Sequence, residues 1–270
     1  IHMKKFLSVL MAGAMLFGVL TLAGCGDTTT DTGEDTTTTE DTTTTAEFTT
    51  VTEGVLTMST NAAFPPYEMT DDSGNIVGID AEIAAAIAEK LGLELQIDDM
   101  DFDGALAAPQ SGKSDIVMAG VTVNEERQLV LDFSNTYANG VQKVIVAEGS
   151  DITMENLGEQ QIGTQKGTTG NILTTDEFGE DHVIAYDDAI AAVQALNNGQ
   201  IDCVVIDSAV ADNLVEANPG LTTLDTDYAN EEYAIGVAKG NTALLDAINT
   251  ALQELIDDGT VQSIIDKYIP

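Results

Sequence analysis

The chain contains a single arginine, Arg127, within the polar stretch 119–127. The other basic side chains among its 9 basic residues are lysines, and 46 acidic residues outnumber them. A guanidinium binds a carboxylate through two parallel N–H···O bonds, which a lysine ammonium cannot do. Arg127 is therefore a candidate for binding the carboxylate of a small ligand. The competing interpretation is a surface ion pair with a nearby acid, which would contribute little stability.

Composition and charge exclude some classes of function. The formal net charge of -37 argues against a nucleic-acid partner, because a polyanion repels the phosphate backbone. Hydrophobic residues make up 43% of the chain, Trp is absent and aromatic residues are 5%, so we expect a core of Ile, Val, Leu and Ala. A length of 270 residues allows one large domain or two of ordinary size.

The chain carries no pattern that predicts a metal site or a cofactor. Its two cysteines are Cys25 and Cys203, and Cys203 lies in the apolar run 201–206, which is typical of a small buried hydrophobic residue. CxxC, Walker and HExxH motifs are absent from the sequence. Residues 99–104 match the opening of a calcium loop, but the twelfth position is Gln110 instead of the bidentate Glu that such a site requires.

The N-terminal residues have the pattern of a secretory signal. Two lysines precede an apolar run, 6–23, that leads to Leu-Ala-Gly-Cys at residues 22–25. This tetrapeptide resembles a bacterial lipobox, which implies a lipoprotein signal peptide over 1–25 and lipidation of the Cys25 thiol. The alternative is an uncleaved membrane helix. Residues 26–53 are rich in Thr, Asp and Glu, and we expect a disordered acidic tether.

The remaining chain alternates strands with helices, which predicts an α/β fold with mostly parallel sheets and a ligand at the carboxyl ends of the strands. We expect a proline-containing loop after the first strand, Asp80 as a helix cap, and Pro109 as a possible early stop of the second helix. The predicted strands are 55–60, 93–97, 116–119, 161–165 and 201–206, and the predicted helices are 80–91, 103–111, 188–198, 241–257 and 260–268.

Seven short motifs in a fixed order resemble the polar-amino-acid-binding family of bacterial solute-binding proteins, the receptors of ABC importers. The resemblance covers residues 54–270. It implies a two-lobed periplasmic-binding-protein-like clamp of type II, in which each lobe is a mostly parallel sheet flanked by helices and two hinge strands join the lobes. The motifs lie at 61–68, 78–83, 102–104, 119–127, 132–137, 165–169 and 202–207. The implied division is lobe one at 54–137 and 235–270, lobe two at 143–230, and the hinge at 138–142 and 231–234.

The resemblance also implies how the backbone of an amino acid is held. Arg127 corresponds to the arginine that pairs with the α-carboxylate, and the amides near Thr168 and Thr169 share that charge at a helix start. Asp207 corresponds to the aspartate that receives the α-ammonium, although a helix cap for residues 208–218 is the alternative role. The other ammonium contacts that the resemblance implies are the Gly120 carbonyl oxygen and the Thr122 hydroxyl.

Four further positions correspond to the part of the site that surrounds the ligand side chain. Phe64 and Phe102 match its aromatic walls, with ordinary core packing as the alternative. In the family that the chain resembles, an aspartate is frequent at the position of Asn61, and lysine or glutamine occurs at the position of Gln165. Both are uncharged, which favours a neutral polar ligand such as glutamine over a basic one.

The sequence thus predicts an extracytoplasmic lipoprotein on the outer face of the bacterial cytoplasmic membrane that delivers a free L-amino acid to an ABC permease. We expect a monomer without catalytic activity or cofactor. A ligand-sensing receptor subunit and a dehydratase-like enzyme on the same fold are the alternatives. Against an enzyme, the motifs direct no spare carboxylate or histidine into the cleft, and Glu231 and Glu232 are interpreted as solvated acids.

Overall fold

A computed structural model describes residues 48–225 and 228–269. The predicted signal peptide, Cys25 and the tether as far as residue 47 lie outside these residues. Within the described part, no helix is both long and apolar enough to cross a membrane.

The end of the predicted tether packs on the folded body. Phe48 contacts the hydrophobic core, and the Val51 amide donates a hydrogen bond of 2.6 Å to the Asp115 carboxylate. Both Phe48 and Val51 are apolar, unlike the Thr and acidic residues before them. Residues 48–53, which the sequence assigns to the tether, therefore contact the body in the structure.

The described residues form twelve strands and seven α-helices, with two short 3-10 helices at Arg127–Leu129 and Met154–Glu159. In chain order they are β1 (Val55–Thr60), β2 (Ala63–Phe64), β3 (Glu68–Thr70), β4 (Ile76–Val77), α1 (Ile79–Leu91), β5 (Glu94–Asp99), α2 (Phe102–Ala107), β6 (Ile116–Val117), β7 (Leu131–Ala147), β8 (Ile162–Gln165), α3 (Thr169–Phe178), β9 (Val183–Tyr186), α4 (Ala189–Asn197), β10 (Cys203–Asp207), α5 (Ser208–Ala217), β11 (Leu221–Thr223), β12 (Ala229–Ala238), α6 (Thr242–Asp257) and α7 (Thr260–Tyr268).

Most of the strands belong to one sheet in the order β5-β1-β6-β12-β7-β10-β8-β9, and β11 pairs with β7. The strands at each end of this sheet are parallel: β1 pairs with β5 and β6, and β8 pairs with β9 and β10. Between them run the long strands β7 and β12, which pair antiparallel with each other. This arrangement is the predicted α/β architecture, in which two parallel groups of strands are joined by two extended strands.

Helix α2 ends at Ala107, which confirms the early stop expected at Pro109. Two other local predictions differ from the structure. The proline loop contains the short strand β2, which pairs with β3 in a separate three-stranded sheet. The prediction that Asp80 caps a helix is wrong: Gly78 is the N-cap of α1, and the Asp80 carboxylate instead accepts hydrogen bonds from the Gly120 amide at 2.9 Å and the Tyr137 hydroxyl at 2.7 Å.

Aliphatic side chains from both groups of strands form the hydrophobic core, as the composition predicts. On α1, Ile83 and Ile87 are completely buried, while Leu91 is half-buried. Cys203 is a free, fully buried thiol in β10, which confirms its interpretation as a small hydrophobic residue.

Gly78, at the start of α1, packs closely against the backbone of Pro66 and Tyr67. Its φ of 132° is unfavourable for L side chains, and a Cβ added there would lie 2.3 Å from the Tyr67 carbonyl oxygen and 2.9 Å from that of Pro66. The same two carbonyl oxygens accept hydrogen bonds from the amides of Asp80 and Ile79. The chain around Gly78 therefore has no room for a side chain.

We expect Gly78→Ala to lower the free energy of unfolding by about 3 kcal/mol or more, because it adds a backbone clash to the φ strain. Gly74→Ala is the matched control, since Gly74 also has a positive φ of 83° but has nothing within 4 Å of an added Cβ. The control should cost only about 1–2 kcal/mol of backbone strain. Urea denaturation measures both, and equal losses would contradict the close packing at Gly78.

Candidate ligand-binding site

A pocket lies beside the carboxyl ends of β1, β6 and β8. Nine of the ten predicted binding residues line it; Asp207 does not. The lining residues are Asn61, Phe64, Glu68, Phe102, Ala119, Gly120, Thr122, Arg127, Gln142, Gln165, Thr168, Thr169, Glu231 and Tyr233.

Arg127 begins a 3-10 helix that follows β6, and only 7% of its surface is exposed. Its guanidinium donates to the carbonyl oxygens of Thr122 at 2.7 Å and Gly167 at 3.2 Å, and it lies 5.3 Å from the centre of the Phe102 ring. Burial lowers the pKa of this guanidinium from its usual value, but the group stays protonated at neutral pH. The surface ion-pair interpretation does not fit, because Arg127 is buried and forms no salt bridge with the residues that the structure describes.

The start of α3 lies next to this guanidinium. Thr168 is the N-cap of α3, and its hydroxyl donates to the Gln165 carbonyl oxygen at 2.7 Å and accepts from the Asn171 amide at 3.3 Å. The Thr169 hydroxyl is buried and has no hydrogen-bond partner among the described residues. Free amides at a helix start attract anions, so this end of the pocket, with Arg127, suits a carboxylate.

Asp207 is fully buried at the end of β10, behind the lining of the pocket. One of its oxygens accepts from the amides of Ala209 at 2.9 Å and Val210 at 3.2 Å, so the alternative role as a helix cap is present. Its other oxygen accepts from the Tyr233 hydroxyl at 2.8 Å. Burial raises the pKa of Asp207 to about 6. Its contact with a ligand ammonium stays a prediction.

Glu231 is the acid whose interpretation as solvated is wrong. It lines the pocket and is only 4% exposed. One carboxylate oxygen accepts from the Thr122 hydroxyl at 2.8 Å; the other accepts from the Gln142 side-chain amide at 2.6 Å and from the Tyr233 hydroxyl at 2.9 Å. Side chains two residues apart on a strand point to the same face, so Glu231 shares a face of β12 with the apolar Tyr233 and Ile235. This spacing in the sequence predicts that Glu231 is buried.

The Tyr233 hydroxyl lies between two carboxyl groups but has only one hydrogen. Its oxygen is 2.8 Å from Asp207 and 2.9 Å from Glu231. One hydrogen does not fully satisfy two buried carboxylates, so this side of the pocket has an excess of negative charge and of acceptors. A cationic group on a ligand would relieve that excess.

The four residues predicted to surround the ligand side chain line the pocket. Phe64 and Phe102 are 8% and 5% exposed, and both line it. Asn61 accepts a hydrogen bond of 2.9 Å from the Gln165 side-chain amide, which joins the loop after β1 to the end of β8. Gly120, at a φ of 54°, lies against Phe64, and a Cβ there would be 2.9 Å from the ring.

Glu68 also lines the pocket, and sequence reasoning did not select it. The side chain is completely buried, and neither carboxylate oxygen has a hydrogen-bond donor among the described residues. Burial, followed by the nearby Asp80, raises the pKa of Glu68 well above its usual range. The only signal in the sequence was its position in β3 directly after a buried aromatic residue, Tyr67.

The described residues contain no cluster of three or more side chains suited to a metal ion. In the stretch that matches a calcium loop, Asp99 accepts from the Ala62 amide at 2.8 Å and Asp101 from the Gly104 amide at 2.9 Å. These carboxylates have structural roles at β5 and at the start of α2.

Comparison with known proteins places the chain in a family. The sequence profile of the bacterial extracellular solute-binding proteins, family 3, matches residues 56–270. The chain belongs to this family. Its mixed α/β fold with a curled sheet is accordingly that of a two-lobed periplasmic binding protein, which confirms the predicted clamp.

Relatives and solved structures agree with that assignment. The chain is 29% identical to the "Probable histidine-binding protein" of Neisseria gonorrhoeae over 275 residues, covering 99% of this chain and 96% of the relative. It is 31% identical over 219 residues to the L-cystine-binding protein TcyJ of Escherichia coli (strain K12), covering 80% and 82%. The structure resembles that of an ancestral arginine-binding protein bound to glutamine, with a TM-score of 0.77, 39% identity, and coverage of 81% and 99%.

We expect Arg127→Lys to weaken ligand binding by more than about tenfold, because the variant keeps the charge but loses the two-pronged hydrogen bonding to a carboxylate. Isothermal titration calorimetry with an amino acid that binds the unmodified protein measures the loss. Glu125→Gln, at an exposed position nearby, is the control and should bind normally. Unchanged affinity in Arg127→Lys would exclude the carboxylate role.

Proposed function

We propose that the protein binds a free L-α-amino acid in this pocket and delivers it to an ABC importer. The observation that carries this proposal is the set of charges at the pocket: a buried guanidinium at Arg127 with no salt bridge among the described residues, and two carboxyl groups, Asp207 and Glu231, that share one hydroxyl hydrogen. A zwitterion supplies the missing partner on each side. Relatives named for binding histidine, cystine, arginine and glutamine support the same class of ligand.

Binding is proposed to close two lobes around the ligand. The proposed hinge, 138–142 and 231–234, falls where β7 and β12 pair between the two parallel groups of strands. Contacts between the proposed lobes already include the Gln165–Asn61 hydrogen bond and a 2.8 Å ion pair between Lys166 and Asp103. A buried charge is costly without its partner, so a bound zwitterion favours closure, and an importer distinguishes the closed form from the open one.

The proposed location is the outer face of the cytoplasmic membrane. Lipidation of Cys25 would anchor the chain, and the acidic residues after it would hold the body away from the membrane. The description of the family as extracellular supports the side of the membrane. We propose that the protein acts as a monomer at the permease.

The identity of the ligand side chain has two candidates. Asn61 and Gln165 are uncharged, which supports the predicted neutral polar side chain, such as that of glutamine. Glu68 supports a cationic side chain, because it adds a completely buried acid to the same pocket.

The protein is proposed to bind without catalysis, in line with its membership of a solute-binding family. The pocket does hold Glu68 and Glu231, so the absence of spare carboxylates is no longer an argument against an enzyme. Incubation of the protein with its ligand, followed by mass spectrometry, tests this point. Recovery of unchanged ligand is expected, and turnover would revive the dehydratase-like alternative.

A thermal-shift screen of the purified protein against the twenty standard amino acids tests the proposed function. A ligand that binds only the folded state raises the melting temperature, by an amount that increases with its concentration. We expect a shift with one amino acid or a few related ones. No shift with any of the twenty would overturn the proposal.

We expect Asp207→Asn to weaken every amino-acid ligand alike, because it removes a charge that pairs with the ammonium common to all. Burial raises the pKa of Asp207 to about 6, so protonation should weaken binding by about tenfold between pH 7 and pH 5. The variant should lose part of that pH dependence. Calorimetry at the two pH values measures both effects.

Asp188→Asn is the matched control, since Asp188 likewise caps a helix, α4, by accepting from the Ala191 amide, whereas Asp207 also accepts from Tyr233, which lines the pocket. It should leave affinity unchanged. If Asp207→Asn altered only the preference among ligand side chains, Asp207 would belong to the specificity pocket instead of the ammonium site.

A further inference from the structure

Glu231 is a buried side chain on which hydrogen bonds from three segments of the chain converge. Its carboxylate accepts from the Thr122 hydroxyl at 2.8 Å, the Gln142 side-chain amide at 2.6 Å and the Tyr233 hydroxyl at 2.9 Å. Thr122 follows β6, Gln142 belongs to β7, and Tyr233 lies on β12 with Glu231. All four side chains line the pocket. One carboxylate therefore orients three of its neighbours in the pocket wall.

The direction of each hydrogen in these contacts follows from the carboxylate, which only accepts. A hydroxyl has one hydrogen and two lone pairs, so the Thr122 hydroxyl, which donates to Glu231, can only accept from any further group. The Gln142 amide nitrogen also faces Glu231, and the side-chain oxygen of Gln142 is buried without a donor among the described residues. Glu231 thus leaves both neighbours with oxygen lone pairs to offer and no hydrogen on the Thr122 oxygen.

The backbone of Thr122 is held separately from its hydroxyl. Two backbone hydrogen bonds of 3.1 Å pair residues 121–123 with residues 232–234 of β12. The Thr122 carbonyl oxygen also accepts from the Arg127 guanidinium at 2.7 Å. Among the described residues, the hydroxyl makes its one hydrogen bond to Glu231. The strands therefore determine where Thr122 lies, and Glu231 determines where its hydroxyl hydrogen points.

Direct pairing with Arg127 is the competing role for Glu231. In the described part of the chain these two side chains form no salt bridge with each other, and Thr122 is bonded to both, through its carbonyl oxygen and its hydroxyl. The hydrogen bonds of Glu231 lead instead through Tyr233 to Asp207, which is 2.8 Å from the same phenolic oxygen. Glu231 is thus connected to the acid that is proposed to receive the ligand ammonium.

We propose that Glu231 is a positioning residue for the α-ammonium of the ligand, because it takes the hydroxyl hydrogen of Thr122 and so makes the Thr122 oxygen an acceptor only. An ammonium carries three N–H donors and no lone pair, and it suits such a wall. An α-hydroxyl has a single hydrogen, and its lone pairs meet acceptors that they cannot bind. Glu231 therefore helps to select amino acids over 2-hydroxy acids. This inference rests on the proposed function and names a determinant of its ligand class.

Glu231→Gln tests this role. The amide keeps the size of the side chain but can donate as well as accept, so it no longer fixes the Thr122 hydrogen. The probes are L-arginine and L-glutamine, which represent the two candidate side chains, and the (S)-2-hydroxy acids with the same side chains. We expect the variant to bind the amino acid about tenfold or more weakly and the hydroxy acid within about threefold of the unmodified protein. Calorimetry measures both, with displacement titrations for the weaker partner.

A double-mutant cycle distinguishes orientation of Thr122 from the charge of Glu231 alone. Thr122→Val has nearly the same shape but no hydroxyl, and it should weaken amino-acid binding by about tenfold. If Glu231 acts through Thr122, adding Glu231→Gln to Thr122→Val should cost less than about threefold more. A further tenfold loss in the double variant would overturn the proposal. Glu232→Gln, at the exposed neighbouring position of β12, is the control and should match the unmodified protein.

A second pair of variants leaves Glu231 in place and decides the matter if Glu231→Gln does not fold. Thr122→Ser keeps the hydroxyl and should bind the amino acid within about threefold of the unmodified protein. Thr122→Val should lose about tenfold for the amino acid and less than about threefold for the hydroxy acid. Equal losses for the two ligands in Thr122→Val would contradict an oxygen that only accepts.

The outcomes separate this inference from the proposed function. If Glu231→Gln binds an amino acid but its preference for that amino acid over the hydroxy acid is unchanged, the proposed function stands and the role of Glu231 is wrong. If a different amino acid of the twenty binds, the same variants are compared with that amino acid and its 2-hydroxy counterpart. If none of the twenty binds, both are overturned.

Discussion

The buried positive charge of Arg127 is the constraint on which the site depends. The side chain lies against Phe102, binds two carbonyl oxygens and forms no ion pair within the described part of the chain. A guanidinium removed from water in this way needs an anion. The start of α3 supplies additional amides beside it, so the fold offers a place for a carboxylate and depends on a ligand to provide one.

The rest of the structure brings acidic and polar side chains into the same pocket as that guanidinium. Strands β7 and β12, which run between the two parallel groups, carry Gln142, Glu231 and Tyr233 into the pocket, and the loops after β1 and β8 bring Asn61 and Gln165 together. The strands that position the site are therefore also those proposed to bend. In the proposed function, ligand charge and lobe closure are coupled through the same residues, and closure would give an importer a signal that reports occupancy.

The sequence predicted the residues whose position follows from local pattern. Arg127 and Thr168 follow strand ends, and motif order identifies them before any packing is known. Glu68 and Glu231 were missed because burial of an acid depends on elements distant in sequence. Asp80 was misassigned for the same reason, since Gly120 and Tyr137, far along the chain, determine its partners. Motif order thus selected the residues around Arg127, and long-range packing determined where Glu68 and Glu231 lie.

The most direct measurement of the central claim is a crystal structure of the protein with its bound amino acid. The account predicts that both oxygens of the ligand α-carboxylate accept hydrogen bonds of about 2.7–2.9 Å from the Arg127 guanidinium and the amides at the start of α3. The α-ammonium should face the side of the pocket that holds Asp207 and Glu231. A ligand bound with its carboxylate away from Arg127, or with its ammonium directed toward solvent, would contradict the account.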